Sequence, residues 1–225
     1  MLGLEFDFLT PEAARAMMHG MVVSLQVAGT ALAVGLVWGT ILAMMRLSSN
    51  RLVSLFAATY VNLFRSIPLA MVLLGFYLVV PQLLKSLIPN GNTMDTRLMS
   101  ALVGFAVFES AYYAEIMRAG IQSVSAGQMD AASALGMRPL QAMRFVVLPQ
   151  ALRNMLPLLL TQLIVLFQDT SLVYVISLAD FFTSAEGIGE RDGRIEEMMI
   201  VAGLVYFIIC FAASNAVKRI PRPAR

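Results

Sequence analysis

Five stretches almost free of charge dominate this sequence and limit what it can become. They run from Gly20 to Met45, Ser66 to Leu84, Leu98 to Phe108, Asn154 to Gln168 and Met198 to Val217. About 20 mostly apolar residues cross a bilayer as a helix. Three of the stretches reach that length unaided. The third does so if Glu109 is admitted and the run continues to Ala114, and the fourth does so if Asp169 is admitted and it continues to Leu178. The pattern predicts an all-α integral membrane protein of one domain over residues 1–225. Its five spans lie at about residues 20–45, 52–84, 98–114, 154–178 and 198–217.

Composition agrees, with 59% hydrophobic and 13% charged residues and a mean hydropathy of +0.77. Soluble domains carry about 25% charge. A net charge of +2 gives no nucleic-acid signal. One cysteine, Cys210, and one histidine, His19, supply neither a disulfide framework nor an ordinary structural zinc site. Neither lysine, Lys85 or Lys218, follows a glycine, so the G-x-x-x-x-G-K-[ST] loop that cradles nucleotide phosphates is absent. The chain is read as a non-enzyme without a cofactor of its own.

Cytoplasmic loops collect Lys and Arg. With the N-terminus outside, Arg46, Arg51, Arg118, Arg138, Arg144, Arg153, Lys218, Arg219, Arg222 and Arg225 fall in the cytoplasm. Arg15, Lys85, Arg97, Arg191 and Arg194 stay outside. That partition predicts an outer N-terminus and a cytoplasmic C-terminus. The outer loop from Lys85 to Arg97 holds the turn-rich Pro89-Asn90-Gly91-Asn92. The cytoplasmic loop, about residues 115–153, reads as a short helix stopped at Gly136 and a second running from Pro139 to just before Leu148-Pro149.

Three ionisable side chains fall inside spans, where they are costly and face a cavity or a partner. Counted at 1.5 Å per residue along straight helices, Arg65 and Asp169 lie about 21 Å above the cytoplasmic side, and Glu109 about 14 Å above it. Arg offers a fork for carboxylates, and Asp169 or Glu109 a partner for an ammonium. A static Arg–carboxylate pair is the alternative. Pro68 removes a backbone donor three residues past Arg65 and predicts a kinked or unwound segment lining a path; a packed kink is the alternative. Thr170 completes the candidate path set of Arg65, Pro68, Glu109, Asp169 and Thr170. Gly35 and Gly39 match the small-xxx-small pattern, read first as packing within the subunit.

The run Gly127-Gln128-Met129-Asp130-Ala131-Ala132-Ser133-Ala134-Leu135-Gly136, followed by Val147-Leu148-Pro149, resembles the EAA loop of membrane subunits of ABC importers. The segment Ala111-Tyr112-Tyr113-Ala114-Glu115-Ile116-Met117-Arg118-Ala119-Gly120-Ile121 is similar to the polar-amino-acid branch of that family. So are Phe64-Arg65-Ser66-Ile67-Pro68-Leu69 and Gln168-Asp169-Thr170-Ser171-Leu172. The resemblance spans residues 15–220 and is nearest to the bacterial glutamate/aspartate importers. It implies a type I importer transmembrane domain in the bacterial inner membrane, forming the path for a polar amino acid. Asp130, Ala131, Ala132 and Gly136 would dock a helix-glycine-helix knob onto a partner ATPase, present in two copies, which binds the ATP and Mg. The other implied partners are the lipid bilayer, a related second permease subunit and an extracytoplasmic amino-acid-binding protein. An ATP-independent secondary transporter or channel is the alternative class; such folds usually show paired repeats, which five spans do not.

Overall fold

The computed structural model describes residues 10–87 and 95–219. Pro89 to Asn92, Arg222 and Arg225 lie outside the described residues. Among the described residues there are helices and connecting turns and no strands.

Helix α1 (Pro11–Arg46) starts where the Thr10 hydroxyl accepts from the Ala13 N–H and Pro11 supplies a preset φ. A short turn leads to α2 (Arg51–Ser66), capped by Asn50. Ile67 then adopts an extended conformation, φ −108°, ψ 137°, the geometry that a following proline imposes. The chain resumes as α3 (Leu69–Leu87) after a bend of 107°. The stretch expected as one span at 52–84 is therefore two helices, and a residue count along it does not measure depth.

Helix α4 (Thr96–Gln122) is capped by Asp95 and packs against α1, α2, α3 and α7. It buries twelve residues, among them Glu109, Ser100 and Ser110. Its polarity follows from that position, because its neighbours are protein side chains that can receive hydrogen bonds. α1, the long helix Pro139–Ile176 and α9 (Ile195–Lys218) are each apolar enough to cross a membrane, as is the bent pair taken together; α4, though long enough, is less apolar.

The region expected as a cytoplasmic loop is mostly helical. α4 runs on to Gln122, and α5 (Ala126–Ala134) follows a Ser125 cap. The helix that begins at Pro139, α6 (Pro139–Ala142), does not stop before Leu148-Pro149 as the sequence suggested. It widens into π-helical turns over Met143–Val147, where the Leu148 N–H reaches back to the Met143 carbonyl, and continues as α7 (Leu148–Asp169). The wider turns re-route carbonyls that lose a partner at Pro149. Tighter 3₁₀ turns over Thr170–Ile176 carry the helix on to Ser177, left-handed at φ 53°.

Among the described residues the buried apolar side chains gather in three clusters, the smallest being Leu42, Ala57, Val61, Ala111 and Ala114. A central one joins α1, α3 and α4 to Leu166, Val173 and Ile176. A second packs the start of α1 against α8 (Phe181–Asp192) and α9. α8 was not anticipated, since its acidic sequence reads as loop. Gly35 and Gly39 let α1 approach α4: a Cβ on Gly39 would lie 2.9 Å from the Tyr113 Cβ and 3.0 Å from the Ala114 nitrogen and the Ser110 carbonyl oxygen. The small-xxx-small pattern thus serves packing inside this chain.

Candidate functional site

At the end of α1, Arg46 bonds the Glu115 carboxylate of α4. Arg118, one turn further along α4, grips the same group with Nη2 on one oxygen and with Nε at 3.1 Å on the other, and also holds Gln122. Arg65, at the end of α2, brings Nη1 to 4.0 Å from Glu115 and lays its guanidinium over the Tyr112 ring, 5.5 Å from the centroid. Three arginines from three helices surround one carboxylate.

The sequence placed Arg65 and Arg46 at different heights; in the structure both approach the one Glu115 carboxylate. The carboxylate neighbour of Arg65 is Glu115 rather than Asp169 or Glu109. Tyr60, one turn before Phe64, anchors α2 by bonding the Val107 carbonyl and the Ser110 hydroxyl, both at 2.9 Å. Pro68 sits at the bend itself.

Glu109 lies about two turns along α4 from Glu115, on the side of α1 and α7. It is fully buried and accepts from Gln162 Nε2 at 3.1 and 3.4 Å. It therefore does not open onto a surface in this structure. Asp169 is seven residues beyond Gln162 on α7, two helical turns along the same face, and is partly exposed where the helix tightens. Thr170 is fully buried, its hydroxyl spent on the Phe167 carbonyl at 2.7 Å. The structure thus separates the expected path set: Arg65 and Asp169 reach the surface, Glu109 and Thr170 are enclosed.

Outside the apolar helices, α5 ends in a left-handed glycine. Gly136 has φ +79°, its N–H bonds the Ser133 carbonyl at 2.9 Å, and the Met137 N–H bonds the Ala132 carbonyl at 3.1 Å. This pairing is the Schellman stop. Asp130, Ala131 and Gly136 are exposed, and Leu135 and Leu140 stand out at 81% and 84% exposure. Ala132 is a correction. It is the buried residue of α5, facing the segments that bury Ala142 and Val147, so its small size serves contact within the chain.

At the other end, Asp180 caps α8 through the Thr183 N–H at 2.9 Å and accepts from the Ser24 hydroxyl of α1 at 3.2 Å. Burial pushes its carboxyl above the ordinary range. Gly20 permits this contact, since a Cβ there would meet the Asp180 carbonyl oxygen at 2.4 Å. Sequence reasoning missed the contacts of Glu115 and Asp180, whereas Gln162, a polar residue in an apolar span, is one that the sequence marks for an interhelical hydrogen bond. For Glu115 the signal was the i,i+3 spacing to Arg118; nothing local marked Asp180. Among the described residues, no three or more His, Cys, Asp or Glu side chains gather as a metal site.

Residues 35–224 match the family described as the binding-protein-dependent transport system inner membrane component. The chain belongs to that family. A curated relative, the glutamate/aspartate import permease protein GltK of Escherichia coli O6:H1, is 57% identical over 206 residues, 92% of each chain. The arginine transport system permease protein ArtQ of Bacillus subtilis is 30% identical, covering 98% of this chain and 97% of the relative. Among solved structures, that of an amino acid ABC transporter with histidines superposes with a TM-score of 0.83 at 32% identity, covering 96% of this chain and 97% of the other.

This importer subunit is thus a type I ABC transmembrane domain of the bacterial inner membrane, a transport component rather than an enzyme. Hydrolysis belongs to a partner ATPase, and the assembly also includes a substrate-binding protein and a second permease subunit. Membership in this family sets aside the ATP-independent transporter.

Proposed function

We propose that this subunit forms the path for glutamate and aspartate. The observation that carries the reading is 57% identity, over 92% of the chain, to a permease named for those two amino acids. Three arginines about one carboxylate suit an anionic solute. Arg65, the Pro68 bend and Asp169 line the path. Glu109 and Thr170 stand behind it, Glu109 by holding Gln162 and Thr170 by bracing the end of α7.

The subunit spans the membrane five times, with α2 and α3 together forming the second crossing, its N-terminus outside and its C-terminus in the cytoplasm. The α5–Gly136–α6 knob docks on the ATPase through Asp130, Ala131 and the exposed Leu135 and Leu140, with Ala132 supporting the knob from within. ATP and Mg are bound by two ATPase copies, the second permease subunit is related to this one, and an extracytoplasmic amino-acid-binding protein delivers the solute.

The test is uptake of radiolabelled glutamate and aspartate in cells whose only copy of this subunit is the variant. Arg65→Ala and Asp169→Ala should assemble yet lose uptake. Normal uptake by both would remove these charges from the path, and uptake of neither amino acid by the wild type would refute the substrate assignment.

A further inference from the structure

The Glu115 carboxylate has about four sites for donors. Arg46 and Arg118 occupy three of them with direct hydrogen bonds. Arg65 is held differently: at 4.0 Å it is within the field of Glu115 but beyond hydrogen-bond reach. Its side chain is 40% exposed, the most open of the three arginines. The Tyr112 face supports its guanidinium plane and leaves the in-plane N–H fork unused. With one carboxylate among three guanidiniums, the cluster carries a net charge of +2. Arg65 is also two residues from the extended Ile67 at which the chain bends by 107°.

We propose that Glu115 is a positioning residue for transport. Fixed by Arg46 and Arg118, it holds Arg65 over Tyr112 with the guanidinium fork open to receive a carboxylate of the solute at the inner end of the path. Without the Glu115 charge, Arg65 faces two like charges and turns away. Because Glu115 never bonds Arg65 directly, a solute carboxylate can take the fork without breaking the ties that hold α1 to α4. The inference rests on the reading that Arg65 serves the path, and it adds which chemical group Arg65 receives and what aims it.

The test is binding of radiolabelled L-glutamate to the complete importer complex in nanodiscs, without binding protein, competed by its two monoamides, glutamine and isoglutamine. A fork that grips one carboxylate makes one amide compete about tenfold more weakly than glutamate. Arg65→Lys and Glu115→Gln should bring that ratio near one, and Glu115→Asp should restore most of it. A latch of purely structural importance would change assembly or turnover and leave the ratio intact.

Should Glu115→Gln fail to assemble, Tyr112→Leu removes the support under Arg65 while sparing every ion pair, and it should collapse the ratio likewise. If Arg65→Lys loses the ratio while Glu115→Gln, or Tyr112→Leu in its place, keeps it, the positioning role is overturned and Arg65 remains in the path. If Arg65→Ala also binds with the ratio unchanged, both readings fall. Absence of measurable glutamate binding by the wild-type complex, with or without nucleotide, overturns the carboxylate site.

Discussion

Gly136 can matter in two ways that predict opposite orders of effect. Its φ of +79° is a conformation that costs an L-residue about 1–2 kcal/mol, whereas a Cβ there would meet no atom of this chain within 4 Å. Alanine also restricts the unfolded chain, which returns about 0.4–1 kcal/mol. The net cost of Gly136→Ala is therefore about 1 kcal/mol, a fivefold loss in the population of the correctly turned knob. Asparagine enters the left-handed region more readily than alanine, so Gly136→Asn should cost less than Gly136→Ala despite its larger side chain. Valine, β-branched and poorly suited to positive φ, should cost most. The assay is affinity of the partner ATPase for the purified permease pair, alongside substrate-stimulated ATP hydrolysis in proteoliposomes. The conformational account predicts wild type ≥ Asn > Ala > Val. If asparagine proves worse than alanine, the glycine is there because the ATPase surface approaches it closely, and the argument from φ is wrong.

Gly39→Ala should destabilise the assembled subunit by about 1–3 kcal/mol, since its Cβ would press on backbone atoms of α4 that cannot yield, whereas Gly29→Ala, inside the same helix with nothing within 4 Å, should be neutral or stabilising by up to about 1 kcal/mol. Thermal melting of the purified complex checks the pair, and equal melting temperatures would contradict the packing account. For orientation, Asn92→Cys and Gln141→Cys in a Cys210→Ser background should behave oppositely in intact spheroplasts, position 92 reacting with an impermeant maleimide and position 141 only after permeabilisation. The reverse pattern would invert the topology and take the docking assignment with it.

How far the sequence carried each of these features depended on how many chain segments had to meet. The Gly136 stop, the start at Pro139 and the break at Pro68 are properties of a few consecutive residues, and they stand in the structure where local chemistry put them. The size of the bend at Pro68 is not local. A proline states that a helix is interrupted, but the angle at which the chain resumes depends on what each half packs against, as where Tyr60 ties α2 to α4. Glu115 was invisible as a hub because its three arginines come from positions 46, 65 and 118. α8 was hidden by acidic residues that read as solvent-exposed, although it buries Phe181, Ala185 and Ile188.

Leu148-Pro149 reads as a helix stop, and its failure to act as one changes how the two sides of α4 can move. On one side, the helix that leaves the Gly136 turn at Pro139 is the one that presents Gln162 to Glu109 and continues beyond Asp169. It is not a uniform rod, because the π-helical turns over Met143–Val147 and the prolines Pro149 and Pro157 are features at which helices bend. On the other side, α2 and α3 meet at two non-helical residues, Ile67 and Pro68; the ring fixes φ of Pro68 and its carbonyl already accepts from the Met71 and Val72 N–H groups, so freedom to rotate there rests on Ile67. Two junctions that interrupt regular α-helix, one π-helical and one extended, therefore flank the same central helix. Arg65 sits two residues before the extended Ile67, so the solute-binding fork proposed there lies beside the second junction.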